Sequence, residues 1–229
     1  MERIQENREK VNGRDAAVEE IVKEFKKFDG SRNEQMLFSD WVKLTALSIS
    51  QRVNYDKEME RAYLQTVKGY RKEELQSFCK MTGRLWRLFD QQIDDYLGKI
   101  YMRSGMGSNK TGQFFTPFHL SELTANLSLE DLESRMEGGK LIINEPSSGG
   151  GGLILAAAKI LKEKNLNYQE IMDVTARDLD WNGVYMTYTQ LSMAGIPAKI
   201  IQGDTLAGSK PLKRQILFTP MYLINAAHV

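Results

Sequence analysis

The residues best suited to chemistry lie in the stretch Leu141–Leu155, LIINEPSSGGGGLIL. An acid, a proline, two serines and four glycines separate a short apolar run, Leu141–Ile143, from the apolar and alanine-rich Leu153–Leu161. The run reads as a buried strand and the second stretch as a helix. Strand, glycine turn and helix open a Rossmann-like βαβ unit, whose ligands sit beyond the carboxyl ends of the strands. Glycine suits that place because a backbone without Cβ accepts φ > 0 and lets a ligand approach closely. Two kinds of glycine loop are excluded. A P-loop ends in Gly-Lys-Ser/Thr, whereas Leu153 follows Gly152. A dinucleotide fingerprint needs a third glycine at 154 or 155, which hold Ile154 and Leu155. The remaining pattern is acid-Pro-small-small-Gly-x-Gly-Gly, which a purely structural turn would also satisfy.

Further candidates follow at strand ends. The run Ile171–Asp180 carries Asp178 and Asp180 at its close. A carboxylate there offers two acceptor oxygens to a diol, or is simply a solvated strand-end acid. Asp178 stands 29 residues after Gly149, more than the roughly 20 of a dinucleotide site, which argues against NAD. Trp181–Ala194 reads as a helix stopped by Gly195-Ile196-Pro197. A third strand, Ala198–Ile201, leads into Gly203-Asp204-Thr205-Leu206, and a fourth, Gln215–Phe218, into Thr219-Pro220-Met221-Tyr222.

The elements that must position these residues begin with a helical half. Val18, Ile21, Val22, Phe25 and Phe28 recur at helical spacing after a polar start, residues 1–14, expected to fray. Ser31 and Glu34 form a capping-box pair for the next helix, and a third begins after Asp56. Residues 71–80 read as a short fourth helix and Leu85–Ile100 as a fifth. No proline precedes Pro117, which favours unbroken helices. The aromatic residues here read as core, and Asp94-Asp95 as a solvated pair. Gly105–Gly112, GMGSNKTG, is a glycine-polar linker. Thr116-Pro117 then starts a helix through His119–Leu123.

Composition narrows the class. With 31 basic and 30 acidic residues the net charge is +1, so no global charge advertises nucleic acid. One cysteine, Cys79, cannot form an internal disulfide, and the two histidines, His119 and His228, lie far apart, so no metal cluster is expected. No apolar run approaches the roughly 18 residues of a membrane span, and the charged N-terminus lacks a signal-peptide core. A cytoplasmic chain is expected.

Gly112-Gln113-Phe114-Phe115-Thr116-Pro117, about 30 residues before Glu145-Pro146-Ser147-Ser148-Gly149-Gly150-Gly151-Gly152, resembles the methylation subunits of type I restriction-modification systems, which are adenine-N6 DNA methyltransferases. The resemblance covers roughly residues 30–206. It implies an all-helical N-terminal domain, 1–108, and a Rossmann-like methyltransferase domain, 109–229, truncated after the fourth strand, with strand order 3-2-1-4. It implies S-adenosylmethionine as cofactor and DNA as substrate, with a partner subunit or a second copy. Phe115 and Thr116 would face the cofactor, beside Glu145, Pro146, Ser147, Gly149 and Gly151 of the glycine loop. Asp178 would take the ribose hydroxyls, with Asp180 as the fallback. Asp204 would accept the adenine amine, with Thr205 and Leu206 near the adenine face.

One motif departs from the family. Its fourth strand ends in Asn-Pro-Pro-Tyr or Asn-Pro-Pro-Phe, which holds the target amine of a flipped base. Here Thr219 replaces the asparagine and Met221 the second proline. Thr219, Pro220 and Tyr222 are the catalytic candidates that the resemblance leaves. A non-catalytic cofactor- or DNA-binding relative is the alternative reading.

Overall fold

The computed structural model describes residues 2–28, 32–106, 115–207 and 215–227. The Gly112–Phe114 part of the first motif, Ser31 and His228 lie outside them. The first half is helical: α1 (Glu2–Phe25), α2 (Glu34–Val53), α3 (Lys57–Val67), α4 (Lys72–Gln91) and α5 (Tyr96–Arg103). Asn33 caps α2 by accepting from the Met36 N–H, and Asp56 caps α3 through the N–H groups of Glu58 and Met59.

Three expectations are corrected here. Residues 2–14 belong to α1, whose second half buries Val18, Ile21, Val22 and Phe25. That packing carries the polar first turns, since most helical stability comes from a buried face. Residues 72–91 form one helix, because Phe78, Met81, Leu85 and Leu88 keep one buried stripe across the expected gap. The chain breaks instead at 92–95. Asp94 and Asp95 are buried, 7% and 4% exposed, because that break turns inward against the second half.

The second half is Rossmann-like. It runs α6 (Phe118–Ser128), β1 (Met136–Glu137), β2 (Lys140–Glu145), α7 (Gly152–Glu163), α8 (Tyr168–Ile171), β3 (Met172–Asp178), α9 (Trp181–Met193), β4 (Ala198–Gln202), β5 (Ile216–Phe218) and α10 (Pro220–Ala227). β2, β3 and β4 are parallel neighbours, with Ile143 beside Val174 and Ala176 beside Ile200. The buried Met172, Val174 and Ala176 make β3 the central strand of this trio. Helices α7 and α9 make the crossovers that parallel strands need. α2 and α5 pack on α9, so the two halves share one hydrophobic core, and within the second half α6 packs on α7.

The strand order differs from the expected 3-2-1-4. The sheet runs β1-β2-β3-β4-β5, and β5 lies antiparallel to β4 at the far edge, with Ile200 beside Leu217. The fourth strand of the motif series therefore pairs with the third rather than with the first. Its direction is reversed relative to β2, β3 and β4. The end of β5 therefore lies at the opposite side of the sheet from the ends of β2 and β3.

Candidate functional site

The glycine loop joins β2 to α7 at the carboxyl end of the parallel strands. Gly149 has φ +53° and Gly151 φ +85°, left-handed values that side-chain-bearing residues adopt at a cost. Space is also short at Gly149, where a Cβ would stand 3.3 Å from the Phe115 ring. Gly151 is the N-cap of α7 and offers no side chain to its first N–H groups. Those donors, and the positive end of the helix dipole, are left for another partner.

Side chains from β3 and α9 hold the loop in place. Asp178, ending β3, accepts from Gly149 N at 2.7 Å through Oδ2 and from Asp180 N at 2.9 Å through Oδ1. The Thr187 hydroxyl on α9 lies 2.9 Å from Gly149 O and 3.0 Å from Ser148 Oγ. Gln190, one turn further along α9, donates through Nε2 to Gly150 O and to Asp95 Oδ1, both at 2.7 Å. Its Oε1 accepts from Leu97 N at 3.0 Å. Asp95 Oδ1 also accepts from Gly98 N at 2.9 Å, which caps α5. Burial pushes the Asp95 carboxyl above the usual carboxylate range, although its bonds to Gln190 and Gly98 act the other way.

A cleft of about 390 Å³ opens over this loop. Small-ligand sites occupy about 300–1,000 Å³. Of the residues singled out by sequence, Phe115, Thr116, Glu145, Ser147, Gly149 and Asp178 line it. Glu145 Oε1 accepts from Ser147 N at 3.0 Å. The Phe115 ring meets Tyr101 edge-on at 5.0 Å, which fixes it above Gly149. The helical half supplies Phe38, Asp95 and Tyr101 to the same wall.

The remaining candidates divide. The 203–206 turn docks beside the glycine loop: Thr205 Oγ1 donates to Pro146 O at 2.6 Å, and Gly203 N to Asp178 O at 2.8 Å. Asp204 is exposed, and its Oδ1 accepts from Leu206 N at 2.8 Å. Pro146, Gly151, Asp204 and Thr205 are adjacent to the cleft rather than part of its lining.

Thr219, Pro220 and Tyr222, the expected catalytic strand end, are not among the residues that line the cleft. Thr219 is fully buried at the start of β4. Its Oγ1 donates to Ile196 O at 2.8 Å and accepts from Ala198 N at 2.9 Å. Pro220 begins α10, and Tyr222 stacks on Phe218 at 5.1 Å. The four residue steps from Ala198 to Gln202 put roughly 13 Å of strand between this corner and the level of Asp178. The reversal of β5 is the cause.

Sequence reasoning missed Asp95, Thr187 and Gln190. Asp95 had a legible signal, an Asp three residues before Gly98 in the N-cap position of α5. A polar side chain inside a helix, such as Gln190, carries none. Among the described residues no group of three or more His, Cys, Asp or Glu is placed to hold a metal ion. No described helix is long and apolar enough to cross a membrane.

A family model described as N-6 DNA methylase matches residues 93–217, more than half of the chain. No curated protein matches by sequence. Among solved structures, the chain is similar to a Listeria monocytogenes protein described as a class I S-adenosylmethionine-dependent methyltransferase, with 10% identity and a TM-score of 0.49, over 93% of this chain and 70% of that one. It is also similar to the methyltransferase subunit of a type I restriction-modification system from Streptococcus thermophilus, with 12% identity and a TM-score of 0.44. There the match spans 88% of this chain and 60% of that chain.

Proposed function

Since the chain belongs to the N-6 DNA methylase family, whose cofactor is S-adenosylmethionine, we propose that it binds this cofactor in the cleft over the glycine loop and acts as an adenine-N6 DNA methyltransferase-like protein. The observation that carries the reading is the loop itself. Gly149 and Gly151 are left-handed, a Cβ at Gly149 would crowd the wall of the cleft, and Asp178 fixes the loop from β3.

The donor set fits the group. Each Asp178 oxygen uses one lone pair on a backbone N–H, which leaves acceptor capacity for a ribose diol. Phe115 offers an aromatic edge and face, and Thr116 a hydroxyl. The first N–H groups of α7 suit a carboxylate. When bound, S-adenosylmethionine supplies an electrophilic methyl group for direct transfer to an adenine amine. The chain's own part is to hold that methyl group in place and to keep water from the loop side of the cleft.

Thr219, Pro220 and Tyr222 have no part in this reading, because they lie at the other end of the sheet. The acceptors for the target amine would then come from a partner subunit, with DNA as the shared substrate in the cytoplasm. That same position favours a second reading, in which the chain binds cofactor for a partner without transferring methyl groups itself.

Calorimetry with S-adenosylmethionine and S-adenosylhomocysteine tests the proposal. The parent chain is expected to bind both, and Gly151→Val, strained at φ +85°, to bind neither. A folded parent that takes up neither ligand, or a variant that binds as the parent does, overturns it. Transfer of tritiated methyl groups to mixed-sequence DNA, with and without candidate partner subunits, separates the two readings.

A further inference from the structure

Ser121 on α6 is fully buried, lines the cleft, and has no hydrogen-bond partner for its Oγ among the described residues. A lone buried hydroxyl is costly and calls for an explanation. Its neighbour across the cleft is Asp95. A Cβ placed on Gly152 would stand 3.4 Å from Ser121 Oγ and 3.5 Å from Asp95 Oδ2, so both oxygens face the same point at the start of α7. Asp95 Oδ1 is engaged by Gln190 and Gly98, whereas Oδ2 receives no hydrogen bond from the described residues. The nearby cation, Lys99, is paired with Asp94. One acidic oxygen and one hydroxyl oxygen therefore converge on a cleft, desolvated and unmatched.

We infer that Asp95 and Ser121 form the subsite for a primary ammonium group, the α-amino group on the methionine arm of the cofactor. The inference rests on the proposed placement of that cofactor in this cleft. The chemistry selects ammonium over the sulfonium centre. An ammonium carries three N–H donors and satisfies both oxygens at once, whereas a sulfonium has no donor for Ser121. An amino acid head also bears a carboxylate, for which the unpaired N–H groups at the start of α7 are the adjacent partner. The two charges of the head thus meet opposite charges on neighbouring elements, Asp95 before α5 and the first turn of α7.

The test compares two ligands of the same cleft. S-adenosylhomocysteine has the amino acid arm; 5′-methylthioadenosine keeps the nucleoside and sulfur but lacks it. Calorimetry on the parent, Ser121→Ala and Asp95→Asn is expected to show each substitution weakening S-adenosylhomocysteine about tenfold or more, with 5′-methylthioadenosine unchanged. Ser121→Ala keeps the test valid if Asp95→Asn fails to fold, since Ser121 Oγ bonds to nothing among the described residues. Variants that bind both ligands like the parent, or lose both equally, overturn the subsite. Equal affinity of the parent for the two ligands overturns it while leaving the cleft reading intact. A parent that binds neither ligand removes that reading and the subsite with it.

Discussion

At the carboxyl ends of β2 and β3 the chain leaves polar groups unspent, whereas at the start of β4 a buried hydroxyl is spent within the protein. The first region holds two left-handed glycines, an uncapped helix and a lone serine hydroxyl around an open cleft. The second holds Thr219, whose hydroxyl joins Ile196 O and Ala198 N with no exposure at all. The contrast separates a ligand site from a folding device. Both contain small polar residues at strand ends, and sequence alone gives them similar standing. What differs is whether the protein itself completes their hydrogen bonds.

The largest effect is expected where the cleft is tied to the helical half. Gln190→Ala leaves Asp95, Gly150 O and Leu97 N without their partner and is expected to destabilise the fold by about 3–5 kcal/mol in urea unfolding. A cost near zero would mean that the two halves hold together without it. Thr219→Val is expected to cost about 2–4 kcal/mol of stability by stranding two buried backbone groups, yet to leave S-adenosylhomocysteine affinity as in the parent. A stable variant with weakened binding would erase the contrast drawn here.

Asp178→Ala should do the opposite, chiefly lowering cofactor affinity. The loss expected is ten- to a hundredfold, about 1.5–3 kcal/mol, and greater than for Asp180→Ala. Equal affinities for the two variants and the parent would detach the β3 end from the ligand. Smallest is Tyr222→Ala, which loses a ring stack on Phe218 worth about 1 kcal/mol and should leave both cofactor affinity and methyl transfer unchanged. A large fall in transfer rate would bring that corner back to the base.

The sequence discloses the glycine loop because everything it needs is local: a strand, glycines and a helix within fifteen residues, Leu141–Leu155. Asp178 is legible for the same reason, as an acid where an apolar run stops. Thr219 is not, because its meaning depends on which strand lies beside β5, a long-range pairing that the motif does not specify. Asp95 looked like a surface acid because its burial comes from Gln190, 95 residues away. Contacts at that separation leave no periodic trace in the chain.

Gln190 has a consequence for motion. By holding Gly150 O and Leu97 N on one amide, it places the glycine loop and the first turn of α5 in one cooperative opening unit. Exposing the amides of that turn to exchange requires releasing the loop. Any ligand that binds the closed loop therefore slows hydrogen exchange in a helix it need not touch, by the factor 1 + [L]/Kd. The helical half would report occupancy of the cleft through its amide protons.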